Sequence, residues 1–179
     1  MLEISIPQTT LFDEKTESFY EVNACKICLE HSLISVSKWE SKWHLPFIDT
    51  KNKTNEMLID YIRCMTVSKS IDPYAYYALT PDHISKINSY IEDPMTATTF
   101  SKNHRASGRE RVTSELIYYW MISLGIPVEF EKWHLSRLLT LIRLCEEKNQ
   151  PPKKMSRNAI LKQNKSLNAA RRAKYHSRG

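Results

Sequence analysis

Ala24-Cys-Lys-Ile-Cys-Leu-Glu-His-Ser-Leu-Ile-Ser-Val-Ser-Lys-Trp-Glu-Ser-Lys-Trp43 is where the periodicity of this chain changes. In its first part Cys25, Ile27 and Leu29 alternate with Lys26 and Cys28, the period of two that places every second side chain on one face of a strand. From Ser32 onward Leu33, Val36, Trp39 and Trp43 recur at steps of three and four, the period of one helical face. Ser32 has the short hydroxyl side chain that an N-cap position favours. The chain therefore passes from strand to helix between Leu29 and Leu33.

Upstream, Leu2, Ile4 and Ile6 alternate with Glu3 and Ser5, and Ser18–Val22 reads as another short strand. Pro7 through Glu14 reads as a turn. These segments predict a small antiparallel sheet of two or three strands over residues 1–30. So small a sheet is not stable alone and must pack on helices.

Downstream, every strong signal is helical. The Ser32 helix stops at His44-Leu-Pro46, and a second follows Thr54, with Met57, Leu58, Tyr61, Ile62 and Met65 on one face. Pro73 opens a tyrosine-rich turn, Tyr74-Ala-Tyr-Tyr77. Thr80-Pro81-Asp82 is a helix start, with a cap, a proline in the first position and an acid near the positive end. That helix carries Ile84, Ile87 and Ile91 and stops at Asp93-Pro94. Ser101–Gly108 is polar and basic and reads as an exposed loop. An apolar central helix is expected from about Arg109 to Leu124, with Val112, Leu116, Tyr119, Trp120 and Ser123 on one side. Gly125 and Pro127 end it. A last body helix should run from about Phe130 to Lys148, with Trp133, Leu138, Leu141, Ile142 and Cys145 inward. The fold class is thus mainly α with a small N-terminal antiparallel β-sheet, an α+β arrangement of helical body plus flexible basic C-terminal tail.

Charge separates these two parts. Among 179 residues the net charge is +6, yet Pro151–Gly179 holds nine Lys and Arg with no Asp or Glu, leaving residues 1–150 at −3. The prolines at 151 and 152 stop an incoming helix, so a boundary between a body (1–150) and a basic tail (151–179) is expected there. Ser156 can cap a tail helix through Ile160, Leu161 and Leu167, one that depends on a partner or remains disordered. A tail of one sign suggests a polyanionic partner, either an acidic protein segment or nucleic acid. Nucleic acid is the less favoured of these, because Tyr175 is the tail's only aromatic and offers little for stacking on single strands.

Several function classes lose support. Only three glycines argue against glycine-loop nucleotide folds. No apolar run approaches the ~20 residues of a membrane crossing, and the first residues lack a secretory pattern. Six histidines are scattered without a helical ligand pair, and neither a GxSxG nor an HExxH motif occurs. Cys25 and Cys28 have the spacing of half a zinc site, but Cys64 and Cys145 supply no second pair. Ordinary reduced cysteines, no metal and no cofactor are expected. Candidate binding residues are therefore aromatic and basic: Trp39 and Trp43, Tyr76 and Tyr77, Arg105 in the exposed loop, and Arg171 and Arg172 in the tail. Tyr76 and Tyr77 cannot both face inward on a short helix, so one should be an exposed anchor.

Five stretches also resemble a known family. They are Leu29-Glu-His-Ser-Leu-Ile-Ser-Val-Ser-Lys-Trp-Glu-Ser-Lys-Trp43, Ile91-Glu-Asp-Pro-Met-Thr-Ala-Thr-Thr-Phe100, Glu115-Leu-Ile-Tyr-Tyr-Trp-Met121, Lys132-Trp-His-Leu-Ser-Arg-Leu-Leu139 and Ser166-Leu-Asn-Ala-Ala-Arg-Arg172. Together they resemble the tail assembly chaperones of long-tailed bacteriophages (siphophage type), over nearly the whole chain. The resemblance implies a non-enzymatic factor that coats the tape measure protein, keeps it soluble and helps recruit tail tube protein. It further implies action in the host cell cytoplasm, absence from the mature virion, room for self-association, and in many such chaperones a longer frameshifted form. Two alternatives from other classes are a nucleic-acid-binding regulator using the basic tail and a structural tail component of the virion.

Overall fold

The computed structural model describes residues 1–13, 17–99, 111–149 and 156–176. They form two compact units, Met1–Glu147 and Lys148–Gly179. The fold class is mainly helical with a small antiparallel strand set at the N-terminus.

In the first unit β1 (Leu2–Ile6) pairs antiparallel with β4 (Cys25–Leu29), from Leu2 opposite Leu29 to Ile6 opposite Cys25. Ile4, Ile6, Ile27 and Leu29 are buried, so the alternation in the sequence does fix the inner face. Between these strands lie β2 (Thr9–Asp13) and β3 (Ser18–Val22), paired with each other as a separate antiparallel ribbon. This corrects the expected turn at Pro7–Glu14: Thr9–Asp13 is a strand, and among the described residues the strands number four in two pairs. Thr-Thr-Leu-Phe is β-branched and aromatic, and a partner strand of matching length outweighs the turn signal of Pro7. The far edge of β4 is covered as well, since Glu30 N–H donates to the Met65 carbonyl at 2.8 Å and Val67 N–H to Cys28 at 2.9 Å.

Helix α1 (Leu33–Trp43) is the central post of the unit, packing on α2 (Asn55–Met65), α4 (Ser114–Ser123) and the 3₁₀ turn Val128–Lys132. Ser32 caps it in a capping box with Ser35, and His44 ends it in the left-handed region at φ 53°. Leu33, Val36 and Trp39 are wholly buried, and truncating a tryptophan in such a place costs about 3–5 kcal/mol. After α2 come a 3₁₀ turn at Pro73–Ala78 and α3 (Pro81–Glu92), capped by Thr80 with Pro81 in its first turn.

Two helical expectations are corrected. Helix α4 begins at Ser114, capped by Thr113, rather than near Arg109, and its inner residues are Ser114, Ile117 and Met121. Tyr119 is 64% exposed, as Ile122 is at 72%. A helix apolar nearly all round carries no pattern that says which side is in. The last body helix, α5 (Leu135–Asn149), starts five residues late. The chain is held extended at His134 by a bridge to Ser32, and Leu135 N–H donates to the His31 carbonyl at 2.8 Å. In the second unit, α6 (Arg157–Tyr175) carries six cations and no acid, and every described side chain along it is exposed.

Candidate functional site

An apolar concavity lies between α2, the Pro73–Ala78 turn and α3. Leu58 and Ile62 on one helix face Ile84, Ile87 and Ile91 on the other, each set at one-face helical spacing. Between them is a cleft of about 280 Å³ lined by Asn, Leu, Ile and Tyr side chains, with no charged one. Ile87 and Tyr76 are buried and form its floor, whereas Leu58 and Tyr77 stand on its rim at 42% and 56% exposure.

The two tyrosines take opposite roles, as adjacent residues on a tight turn must. Tyr76 O–H donates to Thr66 Oγ1 at 3.0 Å, tying the turn to the end of α2. Tyr77 projects outward. The Arg63 guanidinium lies 5.3 Å from the Tyr76 ring and 5.4 Å from that of Tyr77, holding both between one cation and the helices. On the other side, Tyr74 stacks on Tyr20 of β3 at 4.2 Å, so the ribbon braces the turn. An uncharged trough between two helices, with an aromatic on its edge, has the form that accepts the apolar stripe of a third helix.

The paired tryptophans serve a different purpose. Trp39 is fully buried and its indole N–H donates to the Met57 carbonyl at 3.0 Å, so it is a core residue and touches no partner directly. Trp43 is half-buried, and its N–H donates to Asp60 Oδ2 at 2.9 Å while Lys42 reaches Oδ1 at 2.6 Å. Both tryptophans thus fix α2 to α1 and so fix one wall of the cleft. Arg171 and Arg172 lie on α6, exposed, in the second unit. Arg105 lies outside the described residues.

Two further exposed apolar features lie outside the cleft. One is the outer side of α4, with Tyr119 and Ile122. The other is Phe12 opposite Phe19 on the ribbon, ring centroids 4.9 Å apart and both exposed. A cross-strand aromatic pair could have been read from the sequence only if Thr9–Asp13 had been recognised as a strand.

The buried titratable groups cluster where β4, α1 and α5 meet. His31 Nδ1 and the Tyr61 hydroxyl are 2.5 Å apart, and the His31 ring meets that of His134 edge-on at 5.0 Å. Burial, and then the charge of His134, pushes His31 down to about 3. Burial raises Tyr61 strongly, and burial followed by the Glu30 carboxylate raises Tyr90, which donates to Glu30 Oε1 at 2.6 Å. Among the described residues no three His, Cys, Asp or Glu are grouped to hold a metal ion, and no helix is long and apolar enough to cross a membrane. Compared with family models, curated proteins and solved structures, the chain finds no match.

Proposed function

We propose that this protein is a non-enzymatic tail assembly chaperone of a long-tailed bacteriophage, which covers the apolar stripes of the tape measure protein until tail tube subunits enclose it. The observation that carries this reading is the uncharged α2–α3 cleft with Leu58 and Tyr77 on its rim. The five sequence stretches that resemble such chaperones support it independently. A client helix laid in the cleft removes apolar area from water at ~25 cal/mol per Å². One cleft of this size holds a client weakly. Many copies along a long helix hold it strongly and still release it stepwise. The cations of α6 draw the chaperone toward acidic stretches of client or tube.

The test is co-expression with a long coiled-coil tape measure protein, followed by sizing at low and high salt. The chaperone reading expects a client that is soluble only in a salt-weakened complex holding many copies, and purified virions that lack the protein. One salt-independent copy per client contradicts it. A second reading, a nucleic-acid-binding regulator, is favoured by the acid-free α6 and requires a probe shift with steep salt dependence.

A further inference from the structure

Two features of the chain, α6 and the α2–α3 cleft, match each other in shape and charge. Every described side chain along the 19 residues of α6 is exposed. Arg157, Ile160, Asn164, Leu167, Arg171 and Tyr175 follow one another at steps of three and four, so they share one face. On that face Ile160 and Leu167, 44% and 48% exposed, are bracketed by the two arginines. The helix gains little from its own residues. Lys162 and Lys165, like Arg171 and Lys174, are same-sign neighbours three apart, which destabilise a lone helix. Most helical stability in proteins comes from a packed face, and α6 has none among its described side chains.

The cleft has the complementary form. Its Ile84 and Ile91 stand seven residues apart on α3, as Ile160 and Leu167 do on α6, a span of about 10 Å on each helix. The lining is uncharged, and acids stand just outside it: exposed Glu56 follows Asn55 of the lining, and exposed Glu92 follows Ile91. Exposed Asp82 and Asp93 flank α3 at its two ends, against exposed Lys86 within it. The Arg63 guanidinium is turned onto the tyrosines. An apolar stripe bracketed by cations thus answers an apolar trough bracketed by acids. The same complement runs through the whole chain. Met1–Glu147 has 16 Lys and Arg against 20 Asp and Glu, a net of −4, whereas Lys148–Gly179 has ten cations and no acid. Opposite charge steers and orients docking.

We propose that the α2–α3 cleft of one copy receives α6 of a second copy. Ile160 and Leu167 enter the trough, and Arg157 and Arg171 reach the acids at its ends, a helix-in-groove contact. The contact is heterologous: each copy offers one cleft and one helix, so copies add head to tail instead of closing as a symmetric pair. It covers the cleft while no client is present. The inference concerns the same cleft as the chaperone reading but does not rest on it.

The experiment is sedimentation equilibrium of the full chain without client, before and after nuclease treatment, at low and high salt. The parent should form a concentration-dependent series beyond the dimer, and the series should shorten as salt rises. A cleft variant, Leu58→Gln with Tyr77→Gln, and a helix variant, Ile160→Gln with Leu167→Gln, change only exposed residues. Each alone should be monomeric. Mixed in equal amounts they should form a 1:1 dimer and nothing larger, because one intact cleft then meets one intact helix. A monomeric parent, whether its cleft is empty or filled by its own α6, overturns the proposal. So does assembly that nuclease abolishes, assembly by either variant alone, or a mixture that stays monomeric. Capture of tape measure protein by the helix variant, whose cleft is intact, reads the chaperone function separately. Capture together with a monomeric parent contradicts this inference alone.

Discussion

Glu40 of α1 and Ser114 of α4, 74 residues apart in sequence, are joined inside the protein: Ser114 N–H donates to Glu40 Oε2 at 2.7 Å. The other carboxylate oxygen accepts from Phe47 N–H, also at 2.7 Å, and Glu40 is only 7% exposed. One buried anion thus satisfies the first free amide of α4 and closes the loop after α1. Hydrogen bonds to a charged group of this kind contribute about 1.5–3 kcal/mol.

Glu40→Gln is the first test. The amide NH₂ cannot accept, so one backbone N–H is left facing a donor. A loss of about 2–3 kcal/mol is expected, read as a lower urea midpoint with an unchanged slope. A midpoint equal to the parent's would show that the two bonds add nothing.

His31 makes the fold sensitive to acid. Its ordinary value is 6.5 and the folded protein holds it at about 3, so between these values the unfolded chain binds a proton that the native state refuses. Stability supplied by the neutral ring is complete above pH 6.5 and falls as the pH drops toward 3. The initial slope is at most about 1.4 kcal/mol per pH unit for this one group. Unfolding midpoints measured across that window should decline in the parent and flatten in His31→Gln. A variant with an undiminished slope would place the acid sensitivity elsewhere.

The two tyrosines of the 3₁₀ turn should respond differently to truncation. Tyr76 is buried and anchored to Thr66, so Tyr76→Ala should cost about 3–4 kcal/mol. Tyr77 is mostly exposed, and Tyr77→Ala should change stability by no more than about 0.5 kcal/mol. Client capture should weaken in Tyr77→Ala. Thermal denaturation beside a pull-down separates the two effects.

Salt should act through α6. Replacing Arg171 and Arg172 with Gln removes two of its six cations, and exposed charges are screened beyond about 8 Å at physiological ionic strength. The variant should bind client less well than the parent at low salt, and the two should converge at high salt. A difference that persists undiminished at high salt would mean the arginines make buried contacts.

Much of the fold was legible because single-faced elements announce their period. Leu2, Ile4 and Ile6, and likewise Ile27 and Leu29, marked the strands that pair through their buried faces, though not their register, and Thr80-Pro81-Asp82 gave the start of α3. Elements governed by distant partners were not. Thr9–Asp13 is a strand because Ser18–Val22 pairs with it. Helix α5 starts at Leu135 because His134 is bridged to Ser32, about a hundred residues away in sequence, a separation at which local propensity is silent. The candidate site was half legible. The rule that adjacent tyrosines point apart anticipated one buried and one exposed ring, but facing Leu58 with Ile84 needs the helix packing itself. The tryptophan pair was not legible for the same reason, since aromatic spacing fits a core as well as a surface, and only the packing buries Trp39 while leaving Trp43 half-exposed.

The central claim is that a client helix occupies the α2–α3 cleft. The most direct measurement places a photo-crosslinking phenylalanine analogue at position 58 or 77, at the outer α4 positions 119 and 122, and at Glu146 as an exposed control on α5. After irradiation with the co-expressed tape measure protein, peptides should map to its apolar helical stripes from positions 58 and 77 and be absent from Glu146. Crosslinks confined to 119 and 122, with none from the cleft, would contradict the account.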